Sequence, residues 1–272
     1  MTLSLSHPQA LRTKLAAAFD SYSSVELGWR LGQLSDTPST AFFIGYQAAM
    51  RCLDSNLSAS KWAAFAVSEK GVRNPYQCQT FFNPNTGFLK GTKSHVMLAS
   101  AGLDLVYILA KEVDSFPIAL TLLKVDASSL QVEPAAMQPF MQELPHHAVS
   151  FSMQLPASAV FCVDAHQQAN KPFRYWEDVH AGLALSGWLQ NKLTRASKEI
   201  EHKALALMEV FRLNPYAYDL NGLDLLEQLI ACAQTESIDL SSVYKKVWQR
   251  DTMLFKFSQV IRDQIRQKLL SD

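Results

Sequence analysis

The spacing of apolar positions divides the chain into three regions. Up to about residue 60, apolar side chains recur every three to four residues, as on one face of an α-helix, which predicts two or three helices. Residues 62–165 instead carry short apolar or alternating runs separated by Gly, Pro, Asn and Asp, a pattern typical of an antiparallel β-barrel or sandwich. From about residue 174 the helical spacing returns and continues to the end of the chain.

The C-terminal region is predicted to form a helical bundle. Over residues 178–213 the apolar spacing persists and predicts one helix of about 35 residues, which the Asn214-Pro215 pair ends. A further helical segment follows at residues 222–234. The last segment is predicted to carry its apolar side chains on one stripe: Val243, Val247, Leu254, Phe257, Ile261, Ile265 and Leu269. Such stripes must be buried against each other or against a second subunit, so we expect three long helices.

The order of helices, strands and helices predicts an α+β protein in three parts. These are an N-terminal helical region at residues 1–61, an antiparallel β-barrel or sandwich domain at 62–165, and a C-terminal helical bundle at 166–272. Within the first part, the Thr37-Pro38-Ser39 segment predicts a break followed by the start of a new helix.

Composition excludes several classes of function. The formal net charge of the 272-residue chain is +0, which offers no electrostatic basis for binding nucleic acid or an anionic membrane. No run of 18 or more apolar residues predicts a membrane span, and the first residues do not resemble a signal peptide, so we expect a cytoplasmic protein. The four cysteines are scattered and predicted to be reduced. No metal site is expected, because the His146-His147 pair lies far from any other paired ligand.

Three short phrases in the β-region resemble a known enzyme family. They are Ala-Val-Ser-Glu-Lys-Gly at residues 66–71, Gly-Phe-Leu-Lys-Gly-Thr-Lys at 87–93, and Val-Ser-Phe-Ser-Met-Gln-Leu-Pro-Ala at 149–157. In this order they are similar to the Val-Thr-Glu-Pro-Gly segment, the Gly-Tyr-x-Leu-Asn-Gly-x-Lys turn and the Val-x-Phe-x-x-Val-x-Val-Pro-Ala strand of the acyl-CoA dehydrogenase family. The chain thus resembles a shortened, divergent member of that family, most clearly over residues 62–165.

The resemblance implies an FAD-dependent oxidoreductase that acts on the CH–CH group of an acyl thioester in fatty acid metabolism. A carboxylate removes the proton beside the carbonyl, while the β-hydrogen leaves as hydride to the flavin. It also implies a homo-oligomer, either a dimer or a tetramer, with an acyl-CoA or another acyl thioester as substrate.

The resemblance also assigns cofactor contacts. Ser68 matches a hydroxyl that contacts the flavin, His95 matches the aromatic residue that covers it, and Met97 matches a Thr or Ser that hydrogen-bonds it. Imidazole offers less aromatic surface than indole, and a thioether cannot replace the hydroxyl as a donor. On a regular strand His95 and Met97 share a face. That face is either a flavin pocket or an interior packed without a cofactor.

Three further residues are assigned in the same way. Arg73 and Asn74 stand where the family has small residues that let substrate groups approach, so both are candidate substrate contacts. Glu177 matches the catalytic base used by one branch of the family, but the Arg that follows it there is replaced by Asp178. A second interpretation is that Glu177 and Asp178 only stabilise a helix N-terminus.

Three hypotheses remain open from the sequence. The first is an acyl-CoA dehydrogenase-like flavoprotein, in which these departures weaken the activity. The second is a degenerate relative without FAD that serves binding or assembly. The third is a flavin-dependent oxygenase, or an enzyme of the nitroalkane oxidase type, on the same scaffold.

Overall fold

The structure is a computed structural model that describes residues 2–98, 102–135 and 138–271. It contains two compact units. The helical unit comprises Met1–Ser60, Pro139–Glu143 and Arg174–Asp272, and the β unit comprises Lys61–Gln138 and Leu144–Phe173. The order of helices, strands and helices confirms the predicted α+β class.

Three helices precede the strands, as predicted. They are α1 (Pro8–Phe19), α2 (Ser24–Leu34) and α3 (Pro38–Leu53). The break predicted at Thr37 is present, because its side chain accepts a hydrogen bond from the backbone N–H of Thr40 and so caps α3. Nearly every residue of α3 from Pro38 to Met50 is buried, which makes this helix the centre of the N-terminal packing.

The C-terminal region forms five helices within the described residues, where three long ones were expected. They are α4 (Lys171–Lys192), α5 (Lys198–Leu213), α6 (Leu220–Glu236), α7 (Ser242–Asp251) and α8 (Met253–Ser271). The predicted helix over residues 178–213 is therefore wrong. Gln190 exchanges two hydrogen bonds with the backbone of Ser197, whose own side chain caps α5, so the polar groups of the break are satisfied.

The predicted single stripe over the last segment is also wrong. The chain breaks between α7 and α8 at Thr252, so residues before and after it do not share one helical face. Val243 and Phe257 are 69% and 60% exposed, whereas the buried side chains of the two helices include Trp248 and Phe255. Trp248 stacks on Trp188 of α4, with ring centroids 5.8 Å apart.

Glycines let α4 lie against the backbones of α2 and α3. A Cβ added at Gly32 would collide with the backbone of Ala184, and one at Gly45 would collide with the carbonyl of His180. From the α4 side, a Cβ at Gly187 would meet the carbonyl of Trp29. These contacts show that the close packing of three helices depends on the absence of side chains at these positions.

The β unit contains one eight-stranded sheet. Its strands are β1 (Ala63–Ala66), β2 (Phe81–Asn83), β3 (Phe88–Met97), β4 (Leu105–Glu112), β5 (Leu120–Asp126), β6 (Gln131–Val132), β7 (His146–Gln154) and β8 (Val160–Cys162). They lie in the order β6-β7-β3-β2-β4-β5-β8, and β1 pairs with β4. The sheet is mixed, because β1 and β2 run parallel to β4 while the other pairs are antiparallel. The long connections that precede β4 allow this parallel pairing.

A buried ion pair joins β3 to the connection between β1 and β2. Lys93 of β3 is fully buried, and its Nζ lies 2.7 Å from Oε1 of Glu69. The carboxylate of Glu69 also accepts hydrogen bonds from the backbone N–H groups of Gln79 and Thr80, at 2.5 and 3.2 Å. Burial alone would raise the pKa of Glu69, but Lys93 and these hydrogen bonds hold it below its ordinary value. A Cβ at Gly91 would collide with Thr80, so strand and connection are in direct contact.

We expect Lys93→Met to destabilise the protein by about 3 kcal/mol, because it leaves the buried carboxylate of Glu69 without its cation. The double variant E69Q/K93M should recover most of this loss, since the amide oxygen of Gln can still accept from the two N–H groups. Urea unfolding measures both effects. Lys90→Met, on an exposed position of the same strand, is the control, and equal losses for K93M and K90M would contradict this account.

Candidate functional site

Two of the predicted flavin contacts, Ser68 and His95, are linked in the β unit. The backbone N–H and the hydroxyl of Ser94 both donate to the carbonyl of Ser68, at 2.8 and 3.1 Å. The hydroxyl of Ser94 also lies 2.8 Å from Nδ1 of His95. The single hydroxyl proton of Ser94 can go either to Ser68 or to Nδ1 of His95, so the hydroxyl connects the two residues in either tautomer of the imidazole. Ser68 and His95 are both exposed.

Met97 has a different environment from His95. A β-bulge shifts the pairing of β3 with β7 between Lys93 and Val96, so simple alternation stops there. His95 is exposed, whereas the neighbours Val96 and Met97 are both buried, with Met97 only 6% exposed. The side chain of Met97 is thus enclosed by the protein, whereas the imidazole of His95 is accessible to solvent.

Arg73 and Asn74 lie in the connection between β1 and β2, and both are exposed. The side-chain oxygen of Asn74 accepts a hydrogen bond from the backbone N–H of Tyr76 at 3.0 Å and caps a short 3-10 helix, Pro75–Gln77. Within the described ranges Arg73 has no hydrogen-bond or ion-pair partner. Its guanidinium is thus available to a phosphate or carboxylate, while Asn74 has a structural role as well.

Glu177 lies in the helical unit, beside a small cavity. The cavity has a volume of about 30 Å³, and its polar lining comes from Arg174 and Asp178 of α4 and from Ser258 and Arg262 of α8. This volume accommodates roughly one or two water molecules. About a quarter of the Glu177 side chain is exposed.

The interpretation of Glu177 as a residue of a helix N-terminus is wrong. α4 begins at Lys171, and a π-helical turn at His166–Asn170 runs directly into it. Glu177 therefore lies well inside the helix, beyond the first turn in which the helix dipole and capping favour a carboxylate. A carboxylate at this position of α4 must therefore be stabilised by the side chains around it.

Burial of Glu177 raises its affinity for a proton, and the charges around it modify that effect. Burial raises the pKa of Glu177 from its ordinary value of 4.5 to about 7, and Arg174 opposes this shift only in part. Arg174 lies 3.9 Å from Glu177 and 3.4 Å from Asp178. The hydroxyl of Tyr218 donates to Asp178 at 2.8 Å. A carboxyl group that titrates near neutrality can both take up and release a proton, as a general base must.

Comparison with solved structures identifies the fold. Butyryl-CoA dehydrogenase from Megasphaera elsdenii matches with a TM-score of 0.73, over 94% of this chain and 84% of that one, at 9% identity. The chain has the acyl-CoA dehydrogenase fold. FkbI, described for biosynthesis of a methoxymalonyl extender unit, matches with a TM-score of 0.65, over 92% of this chain and 86% of that one, at 16% identity.

XiaF from a Streptomyces species, solved with FADH2 and glycerol, matches with a TM-score of 0.61, over 92% of this chain and 83% of that one, at 13% identity. At these identities the likeness shows the fold alone. No protein-family model matches the sequence, and no curated protein matches it significantly. The resemblance found in the three phrases is thus confirmed at the level of the acyl-CoA dehydrogenase fold.

Within this acyl-CoA dehydrogenase fold, the predicted site residues fall into both units. Ser68, Arg73, Asn74, His95 and Met97 belong to the β unit, whereas Glu177 belongs to the helical unit.

Sequence reasoning missed three residues beside these candidates: Ser94 in the β unit, and Arg174 and Tyr218 in the helical unit. Arg174 can be found by its helical spacing to Glu177 and Asp178. Ser94 and Tyr218 carry no such signal, because their contacts depend on a strand bulge and on a loop distant in sequence.

Two features are absent from the described part of the chain. None of the helices described is both long and apolar enough to cross a membrane. Over the same residues, no group of three or more His, Cys, Asp or Glu side chains is placed to hold a metal ion.

Glu177→Gln should change how stability depends on pH. Between pH 4.5 and about 7 the folded protein holds a proton on Glu177 that the unfolded chain has released, so stability falls as pH rises through this window. The free energy of unfolding of the variant does not fall in this way. At pH 8 it should exceed that of the wild type by on the order of 2 kcal/mol, with little difference near pH 4. Urea unfolding across this range measures it. Glu201→Gln, an exposed position of α5, is the control, and a stability difference independent of pH would contradict the assignment.

Proposed function

We propose that this protein is a flavoprotein of the acyl-CoA dehydrogenase type that acts in the cytoplasm on the CH–CH group of an acyl thioester. The observation that carries the proposal is the exposed pair of Ser68 and His95, held together by Ser94. Two of the three side chains assigned to the flavin are thereby accessible and have hydrogen-bonding groups to offer. Solved structures of the same fold include complexes with FAD and FADH2.

The residues of the β unit fit a flavin in part. The hydroxyl of Ser68 makes no hydrogen bond to other described residues, so it can donate to or accept from the polar edge of a flavin. The exposed imidazole of His95 suits contact with a planar aromatic ligand. Met97 supplies only apolar contact. FAD, when bound, supplies the acceptor for the hydride that leaves the β-carbon.

The chain's own acid–base group in this proposal is Glu177. Its carboxyl takes the proton from the carbon beside the thioester carbonyl and holds it on a side-chain oxygen. A pKa near 7 suits this task, because the carboxyl group is then partly ionised at neutral pH and can still hold the proton that it receives. Arg73, which is exposed and positively charged, is the proposed contact for a phosphate or carboxylate of the substrate, and Asn74 is its neighbour.

A second candidate is a relative of the same fold that binds no FAD and serves binding or assembly. Two observations favour it. Met97 is buried in the interior where a hydroxyl donor was expected. The cavity beside Glu177 measures about 30 Å³, which is far too small for an acyl chain without rearrangement.

We also propose that the protein forms a homodimer through α8. Met253, Phe257, Val260 and Ile261 are exposed and spaced by three or four residues, so they form one apolar side of the helix. Two like helices can bury this side against each other in an antiparallel pair. With a two-fold axis midway between residues 259 and 260, Lys256 of each copy lies opposite Asp263 of the other. This charge complementarity makes a second copy of the chain the proposed occupant.

FAD titration tests the first proposal. The purified protein should take up FAD and show the absorption bands of a bound flavin. Ser68→Ala removes one hydrogen bond to the flavin, worth about 1 kcal/mol, and should weaken FAD binding roughly fivefold. Thr92→Ala, an exposed hydroxyl on the same strand as His95, should bind FAD like the wild type. A folded protein that stays colourless after incubation with FAD would support the second candidate instead.

Light scattering after size-exclusion chromatography tests the dimer. Val260→Glu should shift the protein to monomer, because it places two carboxylates at the centre of the interface. Lys256→Glu and Asp263→Lys should each weaken the dimer at least tenfold, and K256E/D263K should restore it, since the opposite charges face each other again. Lys246→Glu makes the same charge change on an exposed position of α7 and should have no effect. A double variant that is no tighter than the single ones would refute the antiparallel pairing.

A further inference from the structure

Glu177 and Asp178 are adjacent on α4, and Arg174, one turn earlier on the same helix, faces both carboxylates. One cation is thus shared between two adjacent acids. Whether the Arg174 guanidinium pairs with Glu177 or with Asp178 decides whether the Glu177 carboxylate has a counterion.

We propose that Asp178 is a positioning residue that holds Arg174 away from Glu177 and so keeps the Glu177 carboxyl free to exchange a proton. The inference rests on the proposed function for its catalytic meaning, since it concerns the proposed base. The arrangement itself can be tested without turnover.

The distances favour Asp178 as the partner of Arg174. Nε of Arg174 lies 3.4 Å from Oδ2 of Asp178, whereas its nearest contact to Glu177 is 3.9 Å, through Nη1. Asp178 is itself fixed, because the hydroxyl of Tyr218 donates to the same Oδ2 at 2.8 Å. Tyr218 is only 9% exposed, and its ring packs against Tyr175 with centroids 4.5 Å apart. The Glu177 carboxylate, in contrast, accepts no hydrogen bond from any described residue.

The other elements that line the cavity do not supply a competing free cation. Arg262 of α8 is 1% exposed and donates to the carbonyl of Phe255 at 3.2 Å and to the side chain of Gln259 at 2.8 Å. It also bonds to Ser258 and faces Glu227 at 3.7 Å, and its charge opposes the rise in pKa that burial causes at Asp178, so it acts on α6 and on Asp178 and not directly on Glu177. The contribution of α3 is Phe42, which is apolar. Arg174 and Asp178 are therefore the charged groups through which the state of Glu177 can be changed.

A double-mutant cycle on the titration of Glu177 tests the inference. The Glu177 signal is assigned by infrared or ¹³C carboxyl spectroscopy as the one that Glu177→Gln removes. Asp178→Asn should shift the titration midpoint down by about one pH unit or more, because it frees Arg174 and removes a like charge. Arg174→Gln should shift the midpoint up. If Asp178 withholds Arg174, the upward shift caused by R174Q should be larger in the D178N background than in the wild type.

The controls separate this inference from its alternatives. Arg212→Gln removes a comparable cation from the exposed Arg212–Glu209 pair of α5 and should leave the Glu177 midpoint unchanged. Unfolding curves identify any variant that has lost its fold. Equal R174Q shifts with and without Asp178 would overturn the inference, because they would mean that Asp178 does not control the position of Arg174.

The proposed function and this inference fail in different ways. If the wild-type protein binds no FAD but the double-mutant cycle gives the expected shifts of the Glu177 midpoint, the proposed function is refuted and the positioning role of Asp178 stands. If FAD binds and an acyl thioester is oxidised, D178N should move the acidic limb of the pH–rate profile to lower pH in parallel with the titration. A limb that stays in place would refute the catalytic meaning of the inference.

Discussion

The β unit depends on one buried ion pair, between Lys93 and Glu69. A lysine with no exposed surface is stable only where its charge is matched, and here one carboxylate matches it while two backbone N–H groups bind the same carboxylate. The pair joins two segments that are distant along the chain, strand β3 and the connection between β1 and β2. Ser68 is the neighbour of Glu69, and Ser94 is the neighbour of Lys93. The same interaction therefore brings Ser68, Ser94 and His95 together, so the candidate cofactor face is a consequence of a structural contact.

The helical unit depends on a different constraint, which is the close approach of helix backbones at glycine positions. Gly32, Gly45 and Gly187 let α4 approach the backbones of α2 and α3. This approach sets the position of α4, the helix that carries Arg174, Glu177 and Asp178. The role of Gly187 in the structure is therefore one of packing.

The sequence predicted the order of the elements because apolar spacing differs between helices and strands. It failed where the structure depends on particular polar contacts, on pairing between distant strands or on an irregularity within a strand. The break between α4 and α5 depends on Gln190 binding the backbone of Ser197, while the apolar spacing continues through it. The parallel pairing of β1 with β4 joins strands far apart along the chain, and no spacing rule indicates it. The bulge that separates exposed His95 from buried Met97 is equally invisible, because both residues fit an alternating strand.

The roles of individual residues in the structure show what the three family-like phrases indicate. The residues of the phrases that match the family, Glu69, Gly91 and Lys93, are explained by packing, a close backbone approach and a buried ion pair. Of the residues that depart from the family, Arg73 and His95 are exposed and take no part in the buried ion pair or in the glycine contacts, whereas Met97 is buried. Matching phrases are therefore evidence for the fold, and a protein could keep all of them after losing its cofactor. Under the proposed function, the chemistry of this chain depends on accessible groups such as Ser68 and His95, and on the charges that surround Glu177. Because Ser68 and His95 are exposed, they can change without disturbing the buried contacts that hold the β unit together.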